Sequence, residues 1–503
     1  MVTLVHEHVK NLSETDPHRP AVLSGKQAVS YSQLQNKVER FSATLIANNT
    51  QKGDRIAFLA PPSLDFLVAY LSITSLGAII VGLNPKYTYA ELNYVFEDAE
   101  PVALYGRRTV RGRDYSDDIS KLICANPSLK HLGIYDDFEE LLILPTAISS
   151  VLIDYLEPCA LIYTSGTTGK PKGALIPHGG LVECCEAQIK AVGLEQPITL
   201  NNLPINHIGC IGDITAFTLL AGGAIVFQEK FSPSGVLDLI EQNQISWWGQ
   251  IPTMFQLALD VQDQIPRDLS SIKRIFTSGA PAPIPLVKRM RNICPHIQNA
   301  YGMTETVGSI LWVLGGDDDI ISGTIGKPIN PYNVRIADET GTPAPTGQSG
   351  EIQVKGSVHM LGYWRNEVAT KKAYTPDGWL RTGDLAIERT DGNYEMVGRL
   401  KDMFKSGGYN VYPLEIEQAL EKLPSIEAAI IIAIPDLKFH EVGCAYILPK
   451  TNTNVDMASL PEVLKQTLAN YKIPKQFNLV ANFPLLPNGK IDKQALRNTL
   501  GKS

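Results

Sequence analysis

The sequence predicts an α/β protein with a large N-terminal domain of α/β subdomains, a β-rich subdomain from about residue 320, and a small mobile α+β domain at the C-terminus. Three observations lead there. Helix-like and strand-like apolar patterns alternate through the first 150 residues and again up to Phe276, as α/β units around a largely parallel sheet require. Near residue 320 the texture changes to Gly, Pro, Thr and Asp punctuation around short alternating runs. A charged, glycine-rich stretch from Arg399 to Gly408 then sets off a compact pattern of about 100 residues. A chain of 503 residues, at roughly 100–200 per domain, calls for two to four domains.

The elements follow in order. Between Ser32 and Asn48, Leu34, Val38, Phe41, Leu45 and Ile46 recur near helical spacing, and Arg55 to Ala60 is a short apolar run after Gly53-Asp54. A helix over Ser63 to Leu76 leads into a buried strand at Gly77 to Val81, and the alternation resumes at Gly223 to Phe227 and Ile272 to Phe276. Val334 to Ala337 and Glu351 to Lys355 are the short runs of the β-rich region. Beyond the glycine-rich stretch come a helix at Pro413 to Leu423, a strand at Ile426 to Ile434 and a helix at Leu460 to Ala469. The apolar stretches Leu71 to Leu83 and Ile426 to Pro435 fall short of the roughly 20 residues that span a bilayer, so no integral membrane association is expected.

Composition narrows the function. Hydrophobic residues at 44% and charged residues at 19% describe an ordinary globular chain. The net charge of −7 excludes a global positive field for nucleic acid, although local basic sites remain open. Seven cysteines lack metal-ligand spacing, and two of them, Cys184 and Cys185, are adjacent; reduced thiols in a cytoplasmic protein are expected.

Residues 163–173 read Tyr-Thr-Ser-Gly-Thr-Thr-Gly-Lys-Pro-Lys-Gly and carry the most chemistry. Gly166, Gly169 and Gly173 allow unusual torsions, the hydroxyls of Thr164, Ser165, Thr167 and Thr168 can donate to phosphate oxygens, and Lys170 and Lys172 can neutralise charge. The Walker pattern fails, because Thr164 stands where its first glycine belongs and Pro171 replaces its magnesium-binding hydroxyl.

This loop resembles the phosphate-binding signature of the adenylate-forming superfamily of acyl-CoA and aryl-CoA synthetases, peptide-synthetase adenylation domains and beetle luciferases. The other motifs stand in order: Leu203-Pro-Ile-Asn-His207, Thr277-Ser-Gly-Ala-Pro281, Asn299-Ala-Tyr-Gly-Met-Thr-Glu305, Arg381-Thr-Gly-Asp384, Gly398-Arg-Leu-Lys-Asp402 and Pro487-Asn-Gly-Lys490. The resemblance covers essentially the whole chain and implies domains of residues 1–400 and 401–503 with a hinge at Lys401.

What the resemblance implies can be matched to physical need. Joining a carboxylate to an α-phosphate brings two anions together, so cations, oriented donors and Mg2+ are required. Thr304 would bond the α-phosphate, Glu305 would hold magnesium, Gly302 would permit close approach of the acyl-phosphate, and Tyr301 would stack on adenine beside Asn299 and Ala300. Without the family, the same segment reads as a helix start capped by Thr304. Gly279, Ala280 and Pro281 would lie against the adenine, and Asp384 and Arg399 would hold the ribose. Lys490, on a long flexible stem, would bridge carboxylate and α-phosphate. Ser406, Gly407 and Gly408 would line the passage for the CoA thiol, although a Gly-Gly loop can equally supply flexibility alone.

His207 would be a movable wall of the acid pocket, preceded here by Asn206 instead of the usual aromatic. Trp247 and Trp248 either close the pocket or pack the core. With no Asp or Lys evidently awaiting an amino group, an apolar acid is expected, a medium-chain fatty acid or a compact cyclic or aromatic one. The expected activity is ATP-dependent acid:CoA ligation with ATP, CoA and Mg2+. Loading of a carrier protein and a catalytically idle nucleotide-binding scaffold are the alternatives.

Overall fold

The computed structural model describes residues 3–25, 27–144, 151–164, 171–357, 359–485 and 491–499, with residue 410 described by its backbone alone. Two compact units emerge: Met1–Val334 with Val354–Arg381, and Arg335–Gln353 with Thr382–Ser503.

The first unit is built on two sheets. A seven-stranded sheet has the parallel strands Ile79–Leu83, Arg55–Leu59, Ala103–Arg107 and His131–Tyr135 side by side. Pro158–Thr164 adds to the Ile79–Leu83 edge in parallel, followed by antiparallel Lys172–Pro177 and Gly362–Tyr363. Helices fall where the apolar spacing places them. Tyr31–Ala47 starts on a capping box, Ser30 Oγ accepting from Gln33 N while Gln33 Oε1 accepts from Ser30 N, and buries Leu34, Val38, Phe41 and Leu45. Leu64–Ser75 is capped by Ser63 and buried on every side, as its nearly continuous apolar sequence requires.

A nine-stranded sheet places Trp247–Gln250 between Arg274–Ser278 and Ile198–Asn201 in parallel, and carries Ile297–Met303 and the antiparallel Gly308–Val313 toward one edge. Residues 304–307 form a turn between those last two strands, so Thr304 caps no helix. Strand alternation sends Trp248 into an apolar cluster with Leu200 and Phe255, while Trp247 meets Phe217 and Phe276. Both tryptophans are buried packing groups.

Most of a four-stranded sheet of Asn333–Ala337, Ser349–Lys355, Leu380–Glu388 and Tyr394–Arg399 falls in the second unit, so the β-rich stretch groups largely with C-terminal residues. A further sheet pairs Ile426–Asp436 with His440–Pro449 and covers itself with the helix Pro413–Glu421, whose Ile416 and Leu420 enter its core. The helix expected over Leu460 to Ala469 ends at Leu464; the next turn is closed instead by the Thr467 hydroxyl and the amide of Leu468 on the Leu464 carbonyl.

Candidate active site

Two antiparallel strands hold the ends of the segment expected to bind phosphate. Thr164 and Lys172 face each other across the antiparallel strands, and Thr164 Oγ1 donates to the Lys172 carbonyl at 3.4 Å. Ser165, Gly166, Thr167, Thr168 and Gly169 lie outside the described residues, as does Lys490. Lys172 Nζ sits 4.3 Å from the Tyr363 ring centroid, and the Tyr363 hydroxyl donates to Glu305 Oε1 at 2.7 Å. One tyrosine therefore joins the loop's lysine to the glutamate of the Tyr301–Glu305 segment. Burial and the Glu305 charge push the Tyr363 phenol well up, which keeps it a donor.

Tyr301 and Gly302 lie near the end of Ile297–Met303, with Thr304 and Glu305 buried in the turn. Gly302 has a reason beyond substrate approach: a Cβ there would come 2.1 Å from the Gly308 carbonyl oxygen, so the bulged pairing of the two strands tolerates only glycine. Asn299 gives its amide to the carbonyls of Thr324 at 2.8 Å and Ile321 at 3.3 Å, with Ala300 buried beside it. Gly279, at φ +84°, turns the chain sharply after Arg274–Ser278 and leaves Ala280 and Pro281 exposed.

His207 stands exposed in a turn, its Nδ1 accepting from the Gly209 amide at 3.0 Å, so the neutral ring carries its proton on Nε2. Gly82 lets that turn lie against the seven-stranded sheet, since a Cβ there would come 2.5 Å from the Ile205 carbonyl oxygen. The turn feeds a π-helix, Gly209–Ala216, which carries the buried Asp213. Asn206 donates to the Tyr87 hydroxyl at 2.9 Å.

In the second unit Asp384 and Arg399 are cross-strand neighbours, with Arg399 Nε 2.9 Å from Asp384 Oδ1. Ser406 pairs with Tyr409 around a two-residue turn at Gly407 and Gly408, whose φ angles of +58° and +87° only glycine adopts readily. Lys401 lies in the turn after Tyr394–Arg399, where Asp402 binds Lys493 at 3.0 Å.

Residues 9–364 match the family model described as AMP-binding enzyme, and residues 415–490 match the AMP-binding enzyme C-terminal domain. The chain belongs to the AMP-binding enzyme family. Feruloyl-CoA synthase of Amycolatopsis sp is 32% identical over 96% of both chains. A 3-[(3aS,4S,7aS)-7a-methyl-1,5-dioxo-octahydro-1H-inden-4-yl]propanoyl:CoA ligase of Mycobacterium tuberculosis is 30% identical over 96% of both. ATP-bound MatB from Rhodopseudomonas palustris superposes with a TM-score of 0.90 at 28% identity, covering 99% of both chains. With relatives of this kind along its whole length, the protein is an enzyme of the AMP-forming acid–CoA ligase family.

Among the described residues of this AMP-binding enzyme, no group of three or more His, Cys, Asp or Glu forms a metal cage. A nucleotide-borne magnesium needs less, one or two carboxylates plus phosphate oxygens. Glu305 fits that role: Oε1 is held by Tyr363, while Oε2 has no hydrogen-bond partner among the described residues. All seven cysteines are free, six of them buried, and burial pushes Cys159 and Cys210 up to about 12, far from a nucleophile's range. Among the described residues no helix is long and apolar enough to cross a membrane. Sequence reasoning missed Tyr363 and Asp213. The first lies in Gly362-Tyr-Trp364, outside the motifs considered; the second is a lone acid inside the apolar run from Ile208 to Ala216, a pattern that marks a buried charge.

Proposed function

We propose that the enzyme activates a compact cyclic or aromatic acid, or a medium-chain fatty acid, in two steps on one site. The acid's carboxylate oxygen attacks the α-phosphorus of ATP, the bond to the β-phosphate breaks, and pyrophosphate leaves. The CoA thiolate then attacks the acyl carbon, the acyl–phosphate C–O bond breaks, and AMP leaves as the thioester forms.

Lys172 and the loop from Thr164 to Gly169 hold the phosphates, Thr304 donates to the α-phosphate, and Glu305 holds Mg2+, which would offset charge between the phosphate oxygens. Tyr301, Asn299, Ala300 and Gly279 to Pro281 form the nucleoside wall; Asp384 and Arg399 take the ribose; Lys490 bridges carboxylate and α-phosphate. Ser406 to Gly408 receive the pantetheine arm after the domain beyond Lys401 rotates. The observation that carries this reading is the Lys172–Tyr363–Glu305 connection, which joins a phosphate-binding cation to a hard oxygen ligand. A ring on a short acid is favoured because the two ligases compared above are named for acids of that shape.

Lys490→Ala should reduce acid-dependent pyrophosphate release at least about 100-fold, the scale of losing one transition-state contact, while thioester formation from a supplied acyl-adenylate stays largely intact. Equal loss of both half-reactions would remove Lys490 from the first step.

A further inference from the structure

Lys172 and Glu305 carry opposite charges, and a single neutral side chain holds both. Lys172 Nζ lies over the face of Tyr363, 4.3 Å from the ring centroid, while the hydroxyl at the end of the same ring donates to Glu305 Oε1 at 2.7 Å. Among the described residues no carboxylate pairs with Lys172, and no lysine or arginine pairs with Glu305.

The backbone fixes Tyr363 in this place. It stands opposite Ala174 in the antiparallel pairing with Lys172–Pro177, and its amide donates to Thr370 Oγ1 at 2.9 Å. The next amide, that of Trp364, donates to the Gly173 carbonyl at 2.7 Å. The same segment holds Glu305 a second time, the Met360 amide donating to the Glu305 carbonyl at 3.1 Å. Main chain around Tyr363 is thus tied both to the strand of Lys172 and to the backbone of Glu305.

An ammonium and a buried carboxylate separated by one ring gain by closing on each other, since their attraction grows as distance and dielectric fall. Once paired, each would be neutralised toward any other group. A ring face attracts the ammonium without cancelling its charge, and a phenol satisfies one carboxylate oxygen without bringing a positive charge. Glu305 keeps 6% of its surface accessible, and its Oε2 has no hydrogen-bond partner among the described residues.

We infer that Tyr363 is a positioning residue that keeps Lys172 and Glu305 from pairing with each other, so that the cation stays free for a phosphate and the carboxylate for a divalent cation. The inference rests on the nucleotide-binding roles proposed for those two residues and adds what makes them compatible in one site. Its two parts are separable: the ring spaces the charges, and the hydroxyl orients the carboxylate.

Calorimetric binding of ATP to the protein, once with EDTA and once with excess Mg2+, is the test. Tyr363→Phe keeps the ring, so metal-free affinity should stay within about threefold of wild type, while the gain on adding Mg2+ should fall about tenfold as the carboxylate loses its orienting donor. Tyr363→Leu and Tyr363→Met, each checked for a native melting transition, remove the spacer and should weaken metal-free binding about tenfold as Lys172 turns to Glu305. Adding Glu305→Gln to either should restore that affinity, by a factor about tenfold larger than the same substitution gives in wild type. A ring that only packs would show no such rescue. Metal-free affinity lost already in Tyr363→Phe, or a Glu305→Gln factor equal in both backgrounds, overturns the inference. Lys172→Met tests the premise separately: metal-free ATP bound as tightly as by wild type would remove Lys172 from the phosphates, and the nucleotide reading of that residue would be what failed.

Discussion

On one face of the nine-stranded sheet Trp248 packs 4.6 Å from Phe255 in a cluster of apolar side chains. On the other, Trp247 lies 3.9 Å from Phe217, and the helices packed there bring buried polar groups: Thr218 to Thr199, Thr215 to Asn201, Asp213 to Gln188 and Ser309. The first face gains stability from burial and also carries a polar cost, the buried Trp248 Nε1, Gln250 Oε1 and Thr277 Oγ1 having no hydrogen-bond partner among the described residues. On the second, the polar groups just named satisfy one another, which offsets the cost of burying them.

The largest expected effect tests the first face directly. Trp248→Ala should lower unfolding free energy by about 3–5 kcal/mol, through lost transfer and a residual cavity. Denaturant midpoints measure it; a loss below about 1 kcal/mol would show that removing the unpartnered indole nitrogen offsets most of the lost burial.

A smaller effect follows from acid. His178 opens the helix that carries Cys184 and Gln188, and its ring lies 5.9 Å from that of His6. Burial lowers His178 to about 3 and His6 to about 4. Folded values below the ordinary 6.5 mean that the unfolded chain takes up protons first as pH falls. The stability is complete above pH 6.5 and drains away toward pH 4, by roughly 2 kcal/mol per histidine at pH 5. His178→Gln should flatten that limb of the stability–pH curve, and an unchanged limb would assign it to other groups.

Much of this architecture was legible. Helices 31–47 and 64–75 announced themselves through spacing and caps because burial of one stripe, or of the whole surface, is written directly into residue order. The motif order likewise led to the expectation that Lys172 and Glu305 act together, and Tyr363 touches both. What stayed hidden depends on chain segments distant in sequence: Tyr363 reaches Glu305 only because Gly362–Tyr363 adds to the strand after the phosphate loop. Gly302 was legible as a required glycine, but the second reason for it was not, since the Gly308 carbonyl that a Cβ would meet comes from the neighbouring strand.

Thr218→Val tests the polar face at about 1–2 kcal/mol. Thr218 Oγ1 donates to the Ile214 carbonyl at 2.6 Å and lies 2.8 Å from the buried Thr199 Oγ1, so removing the Thr218 hydroxyl strands that of Thr199. The double replacement Thr199→Val with Thr218→Val should recover most of the loss in a denaturation cycle. Additive losses would mean that the two hydroxyls do not depend on each other.

The smallest stability effect belongs to the charged member of the polar face. Asp213→Asn keeps the shape and lets the Asn amide donate to Ser309 Oγ, so stability at neutral pH should change by less than about 1 kcal/mol or rise slightly as a buried charge disappears. The sign with pH is opposite to that of the histidines. A carboxyl raised above its unfolded value holds its proton longer in the folded state, so wild-type stability falls as pH rises through and above the carboxylate range, and the variant should lack that fall. A variant that loses several kcal/mol would show that the polar face needs the Asp213 charge, and the contrast with the Trp248 face would then lie in electrostatics as well as in pairing.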